Sequence, residues 1–406
     1  MTPLLSYIDF HIEEKIIALK NWGLSFLPGC LQPWVNALII VVAIVAVASC
    51  FYALATVFER KGLGRLQNRP GPHRIGLWGF IQPIADGLKI FLKEDLVPEK
   101  ADKIVFFLAP AVMIASLFCT FAVIPYGRGM TPIELDAGLL FFFAAGAGSE
   151  VGAFMAGWSS HNKYSLLGGL RAIAQMISFE LPLILSTLTV VMMAGTLSLT
   201  AVVEAQSGYY WNLIPRWFIF TPWGLFAFLL FITAGSAEMN RAPFDLAEGD
   251  SELVAGFMTE YSGFRYAMIY MAEYFGIFAA CSLGTTLFLG GYNAPLPFLT
   301  CIPTFVWFFV KMHFLFFCII WSRATFPRLR ADMLMNFCWK FLFPMAVLNI
   351  VVTMIWHFAG NLGCVGSLIV RWGICPILLI ACFYGLASAM YKAANIAPRI
   401  YTYAKQ

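Results

Sequence analysis

The sequence predicts an all-α, polytopic membrane protein with about nine transmembrane helices and an N-terminal amphipathic helix. Three observations predict it. Hydrophobic residues make up 60% of the 406 positions and charged residues only 12%, about half of the roughly 25% charged fraction of a soluble domain. Apolar runs long enough to cross a bilayer, about 20 residues each, recur along the whole chain. The Lys and Arg residues fall mostly in alternate connecting segments, as the positive-inside rule expects of a multi-pass chain.

Taken in order, the first element is the stretch 4–28. Leu5, Ile8, Ile12, Ile16 and Leu19 recur at helical spacing, with Asp9, Glu13, Lys15 and Lys20 beside or opposite them. This pattern predicts a helix lying in the membrane interface. Its acids and the lack of a following cleavage site argue against a signal peptide. Nine spans follow, near 34–57, 104–126, 138–158, 173–197, 218–238, 266–289, 303–322, 341–358 and 372–391. Of the 26 Lys and Arg residues, 20 lie in alternate segments beginning with 58–103, five in the others, and Lys311 inside the seventh span. The rich side is expected to be cytoplasmic, which places the N-terminus outside and the C-terminus inside. Residues 1–406 read as a single integral membrane domain with cytoplasmic loops at 58–103 and 239–265 and an additional C-terminal span at 367–391.

Several chemistries find no support. The ten cysteines are scattered singly without a C-x-x-C pair, and the five histidines are isolated. No zinc, iron–sulfur, flavin or nucleotide motif occurs, and nothing suggests a nucleic-acid surface. His313 and His357 sit singly on different spans and make a poor haem pair. A stand-alone secondary transporter would predict internal repeat symmetry and broken helices in both halves, and neither is evident.

What remains is charge in expensive places. Glu150, Glu180, Glu238 and Glu273 lie in or at the ends of apolar runs, where an acid costs roughly 2.5–3.5 kcal/mol to insert. Each alone reads equally as a neutral hydrogen-bonding link between helices; four together favour a polar pathway whose carboxyls carry protons. Lys311 would pair with one of them or serve packing. Pro182, two residues after Glu180, must free a backbone carbonyl one turn earlier. Loop 58–103 holds nine cations matched by six acids (Glu59, Asp86, Glu94, Asp95, Glu99 and Asp102). Anionic lipid would explain the cations alone; a large cytoplasmic partner explains both. Within it, ADGLKIFLKE predicts a short amphipathic helix with Asp86 and Lys89 on one face. Finally, AEMNRAPFDLAEGDSE gathers Glu238, Asp245, Glu248, Asp250 and Glu252 around Arg241, which suits either coupled proton exchange or docking of a basic partner.

Two of these stretches carry a resemblance. GLWGFIQPIADGLKIFLKED, led by ERKGLGRLQNRPGPHRIG, and NRAPFDLAEGDSELVAGFMTEYSG resemble the signatures of the H-type membrane subunit family of proton-pumping NADH–quinone oxidoreductases, respiratory complex I. AGWSSHNKYSLLGGLRAIAQMISFELP and WSRATFPRLRADMLMNFCWK agree, and the likeness covers about residues 34–358. The resemblance implies a quinone tunnel shared with iron–sulfur peripheral subunits, and a chain of acids leading to antiporter-like membrane subunits. Quinone would be a substrate at that junction, in a bacterial plasma membrane, with no metal, flavin or cluster on this chain. On matching positions, proton relay would fall to Glu180, Glu238, Asp245, Glu248, Asp250, Glu252 and Glu273. The quinone cavity or subunit junction would take Arg60, Arg65, Arg69, Arg74, Asp86, Lys89, Arg241 and Glu260. The N-terminal helix, with the first and sixth spans, would frame the tunnel mouth. Phe179 stands where the family has Tyr and Asp250 where Glu is usual. A related membrane subunit of an energy-converting hydrogenase is the alternative; the long loop 58–103 and the full acidic cluster favour quinone.

Overall fold

A backbone inside lipid must satisfy its own hydrogen bonds, so the apolar runs fold as helices. The computed structural model describes residues 12–26, 28–210, 214–246, 254–361 and 364–394. Helix α1 spans Ile12–Ser25, α2 Gln32–Leu66, α3 Gln82–Phe91, α4 Lys103–Phe121, α5 Gly138–Gly146 and α6 Gly148–Ser159. Then come α7 Lys163–Ala194, α8 Leu199–Ala205, α9 Pro222–Glu238, α10 Gly263–Phe288, α11 Thr304–Thr325, α12 Ala331–Phe337, α13 Phe343–Phe358, α14 Cys364–Leu368 and α15 Cys375–Ala394. Tyr209–Tyr210 and Ile214–Pro215 form the one strand pair among the described residues, antiparallel. Eight of the nine expected spans are long and apolar enough to cross a membrane, counting α5–α6, α12–α13 and α14–α15 as single runs. The ninth, α9, has 17 residues, or about 26 Å of helix against a hydrocarbon core of about 30 Å.

Most ends have a local cause. The Asn162 side chain accepts from Tyr164 N and starts α7 ten residues before the expected span. Thr221 caps α9 in the same way through Gly224 N. Helix α2 runs past its apolar stretch to Leu66, so the first turns of loop 58–103 are helical. Pro182 leaves the Ser178 carbonyl without its helical donor, and the Cys338 thiol supplies one at 3.0 Å. Two π-helical turns, Cys338–Leu342 and Ile369–Ile374, each close two residues before a proline, Pro344 and Pro376. Proline lacks the amide the tighter ladder needs and crowds the carbonyl one turn back, so a widened turn absorbs it.

Small residues set the closest contacts, as expected where helices pack in lipid. Ala109 of α4 and Ala153 and Ala156 of α6 are all buried, and a Cβ on Gly152 would lie 3.1 Å from the Ala109 carbonyl. A Cβ on Gly168 would meet Gly256 Cα at 2.5 Å, so only glycine lets the segment after the acidic stretch sit against α7. Helix α10 is the central element, with Ile269, Phe275, Leu283 and Phe288 fully buried.

The ends of the bundle differ. At one, α1 reaches the start of α11: Glu13 accepts from Thr304 N, from Thr304 Oγ1 at 2.7 Å and from Phe305 N at 3.2 Å. At the other, α2, α9 and α11 end together beside α3 and loop 239–246. The N-terminal helix thus packs at the end opposite loop 58–103, where α3 packs against α2 and α10.

Lys311 pairs with none of the glutamates. Its Nζ donates to the carbonyls of Leu289, Gly291 and Asn293 at 2.7, 2.9 and 2.6 Å, and lies 4.1 Å from the Trp217 ring centre. All three donors of the ammonium are thereby used, and the turn after α10 is tied to α11. Lys311→Met leaves these three acceptors without this donor, at about 1–3 kcal/mol for each of the two buried bonds. A lowered melting temperature of the purified protein is expected, and an unchanged one would show that the turn holds without it.

Candidate functional site

The polar end is built around one buried carboxylate. Glu59 stands in the last turns of α2, and its side chain is 7% exposed. Arg323, near the end of α11, donates to Glu59 Oε1 from Nη1. Arg241 reaches the same oxygen from Nη1 at 3.5 Å, and Tyr274 of α10 donates its hydroxyl to Oε2. Arg241 Nη2 then lies 3.9 Å from Glu273 Oε2, a separation suited to an ion pair but long for a hydrogen bond. Two guanidiniums thus share two carboxylates.

Local chain geometry places Arg241 there. Helix α9 ends at Glu238, and the chain turns at Asn240, which takes a left-handed φ of 49°, a conformation Asn tolerates better than most residues. Gln175 of α7 then donates to both Ala237 O and Phe244 O, at 2.6 Å each, and closes the turn. Arg241 is left buried over the Tyr274 ring, 4.3 Å from its centre. Burial works against its charge, but Tyr274, Glu59 and Glu273 outweigh that and raise its pKa above the ordinary arginine value. Its Nε and Nη2 find no hydrogen-bond acceptor among the described residues.

A row of acids continues inward. Glu273 and Glu238 line one cavity of about 50 Å³, together with Ser149, Thr120 and Asn240. That volume exceeds the roughly 10–15 Å³ a water centre needs. Glu238 lies near enough to Glu180 and Glu150, and Glu150 near enough to Glu180, for their charges to interact. Asp245 is differently placed. Arg328 clamps it, Nη2 to Oδ2 at 2.8 Å and Nε to the Asp245 carbonyl at 2.9 Å. Phe179 packs against Phe244 beside this clamp, ring centres 6.0 Å apart.

Outside the buried centre, Arg60 pairs with Asp86, which also accepts from Gln82 Nε2 at 2.9 Å. Arg65, Arg69, Arg74 and Lys89 are exposed around it. Glu260 accepts from Asn162 Nδ2 and ties the segment before α10 to the start of α7. Next to it, burial pushes the Tyr261 hydroxyl up to about 12, so it remains protonated and donates to the Phe106 carbonyl at 3.2 Å. Glu248, Asp250 and Glu252 lie outside the described residues. Among the described residues, no group of three or more His, Cys, Asp or Glu side chains is arranged to hold a metal.

The model of the NADH dehydrogenase family matches residues 38–354, which include every part of this centre. The chain belongs to that family. It is 45% identical over 320 residues to the NADH-quinone oxidoreductase H subunit of Dehalococcoides mccartyi strain CBDB1, covering 79% of this chain and 86% of the relative. The corresponding H subunit of Geobacillus kaustophilus strain HTA426 is 46% identical over 319 residues, 78% of this chain and 93% of the relative. That of Bacillus mycoides strain KBAB4 is 47% identical over 305 residues, 75% and 88% respectively. Membership of this family makes the chain an integral membrane subunit of an NADH–quinone oxidoreductase.

Of the sequence-predicted residues, the fold gathers Arg241, Glu273, Glu238 and Glu180, while Arg60 and Asp86 form a separate, more exposed pair. Sequence reasoning gave no site role to four further members of this centre: Glu59, named only among the six acids of loop 58–103, and Arg323, Tyr274 and Arg328. Glu59 and Arg323 each end an apolar run and read as ordinary flanking charges. One signal was present: Glu59 directly follows the apolar ALATVF, with Arg60 and Lys61 after it, a place where the positive-inside rule calls for cations and not an acid.

Proposed function

We propose that this chain is the quinone-facing membrane subunit of a proton-translocating NADH–quinone oxidoreductase, and that its buried acids couple quinone reduction to proton movement. The observation that carries the reading is the row of ionisable groups in which Arg323, Glu59, Arg241 and Glu273 are ion-paired, Glu238 shares a cavity with Glu273, and Glu180 and Glu150 lie near Glu238. Neighbouring carboxyls cannot all ionise independently, so a change of charge or proton demand at the polar end shifts the protonation of those deeper in. Moving one charge against 100 mV takes about 2.3 kcal/mol, within reach of a few coupled carboxyls. The quinone headgroup would lie near the polar end, where Arg241 keeps unspent donors. It would be a substrate shared with partner subunits, and this chain would contribute no metal, flavin or cluster.

Peripheral iron–sulfur subunits would dock on loop 58–103, where Leu77, Trp78, Leu88 and Leu92 are strongly exposed beside the cations. Antiporter-like membrane subunits would receive the proton signal. That end would face the cytoplasm of a bacterial cell, with the N-terminus outside. The test is Glu180→Gln in the assembled complex. Quinone reduction and proton translocation are expected to fall together by at least about tenfold, in line with the loss of a positioned proton carrier. Coupled turnover at the wild-type level would remove Glu180 from the pathway.

A further inference from the structure

At the end opposite the Glu59–Arg241 centre, the packing leaves a second, larger space. A cavity of about 450 Å³ runs between α1, α2, α10, α11 and the loop after α4. Its size falls in the ~300–1,000 Å³ range of small-molecule sites. The walls are apolar along most of their length, from Ile40 and Ile44 near the mouth to Phe51, Phe278 and Phe309 at depth. Polar side chains interrupt them at Lys20, Asn36, Tyr126, Thr131 and Ser282. Lys20 of α1 lines the cavity at the mouth. Asn36 of α2 lines it too, and its side-chain oxygen is buried without a donor. Ser282 lies deeper, with its hydroxyl already turned to Met312 Sδ at 3.2 Å. The exposed Arg128 stands close by, its amide bonded to Thr304 Oγ1 at 3.0 Å. Glu13, on the same helix as Lys20, is spent on the start of α11.

We propose that this cavity holds one acyl chain of an anionic phospholipid, with the phosphate at Lys20 and a headgroup hydroxyl donating to Asn36. The apolar barrel suits the hydrocarbon, each buried methylene contributing about 0.8 kcal/mol. The cationic mouth and the donor-seeking amide suit a phosphatidylglycerol headgroup, which offers both a negative charge and hydroxyl donors. A choline headgroup has no N–H or O–H to give to Asn36. Helix α1 forms one wall of the site through Ile17 and Lys20, and the Glu13 bonds pin it there. The bound lipid therefore seals the gap between α1 and α2 without touching the carboxylate row, and this proposal stands or falls separately from the coupling role.

The test uses the intact complex, extracted in mild detergent from vesicles of equal phosphatidylglycerol and phosphatidylcholine, with retained lipid identified by mass spectrometry. Ala43→Trp fills the cavity from its exposed wall. It is expected to remove one retained phosphatidylglycerol per complex. Lys20→Glu reverses the charge at the mouth without altering the barrel. It is expected to bring the retained ratio of phosphatidylglycerol to phosphatidylcholine down several-fold, toward equality. The proposal is overturned if both variants retain the wild-type lipid set. It is also overturned if the species lost from Ala43→Trp is quinone and not phospholipid.

Discussion

Arg241→Met is expected to give the largest single loss of function in this chain. The guanidinium is buried, and it is the group that joins Glu59 to Glu273 across 3.5 and 3.9 Å. Removing one partner of a buried pair costs about 3–5 kcal/mol, because the remaining charge is left in low dielectric. Here Glu59 keeps Arg323 and Tyr274, which offsets part of that cost. The amount of intact complex should drop, and NADH–quinone turnover in what remains should drop further. NADH oxidation by a soluble artificial acceptor does not need the membrane end and should be spared in the surviving complex. Arg241→Lys separates charge from geometry. An ammonium keeps the charge, but it is a point donor and cannot address two carboxylates as a planar fork does. Assembly close to wild type with quinone turnover still impaired is therefore expected of Lys. Full quinone turnover in Arg241→Lys would show that only the charge matters, and full turnover in Arg241→Met would remove the residue from the proposed function.

The membrane architecture was more legible in the sequence than the site. Apolar runs of about 20 residues leave little choice but helices, so the spans could be read to within a few residues except where charge continued a helix. Helix α2 extends to Leu66 because ERKGLGRL keeps helical hydrogen bonding beyond the apolar stretch. Helix α7 starts early because Asn162 caps it. The site was legible only where a motif concentrates charge in one stretch, as around Arg241. Glu59 is separated from Glu273 and Arg323 by more than two hundred positions, and they meet only because of how α2, α10 and α11 pack. No periodicity in a single chain reports that meeting. Lys311 shows the opposite limit. Its cost in the membrane was readable, but its partners are backbone carbonyls, which carry no sequence signature. The N-terminal helix was recognisable from its amphipathic spacing, yet which end of the bundle it joins depended on Glu13 meeting the start of α11.

The second large effect concerns how Glu59 is shared. Glu59→Gln leaves Arg241 with Glu273 as its close carboxylate partner, and it takes from the Arg323 guanidinium the ion pair it makes with Glu59. Two like charges then compete in a largely buried space, so this variant is expected to lose stability and quinone turnover together. Arg323→Met does the reverse and leaves Arg241, at the longer separation, to balance Glu59. The double variant Glu59→Gln with Arg323→Met removes one charge of each sign and restores the balance of Arg241 against Glu273. Its loss of stability should therefore be smaller than the two single losses combined, with a coupling of about 0.5–3 kcal/mol, as for groups in one network. Thermal melting of the four purified complexes closes the cycle. Strict additivity would mean that Arg323 is held by something other than Glu59. Turnover should behave differently from stability, because the double variant rebuilds a neutral core but not the carboxylate at the head of the row. A double variant that regains stability yet stays inactive would assign Glu59 to function and not only to packing. One that regains both would confine the pair to holding α2 and α11 together.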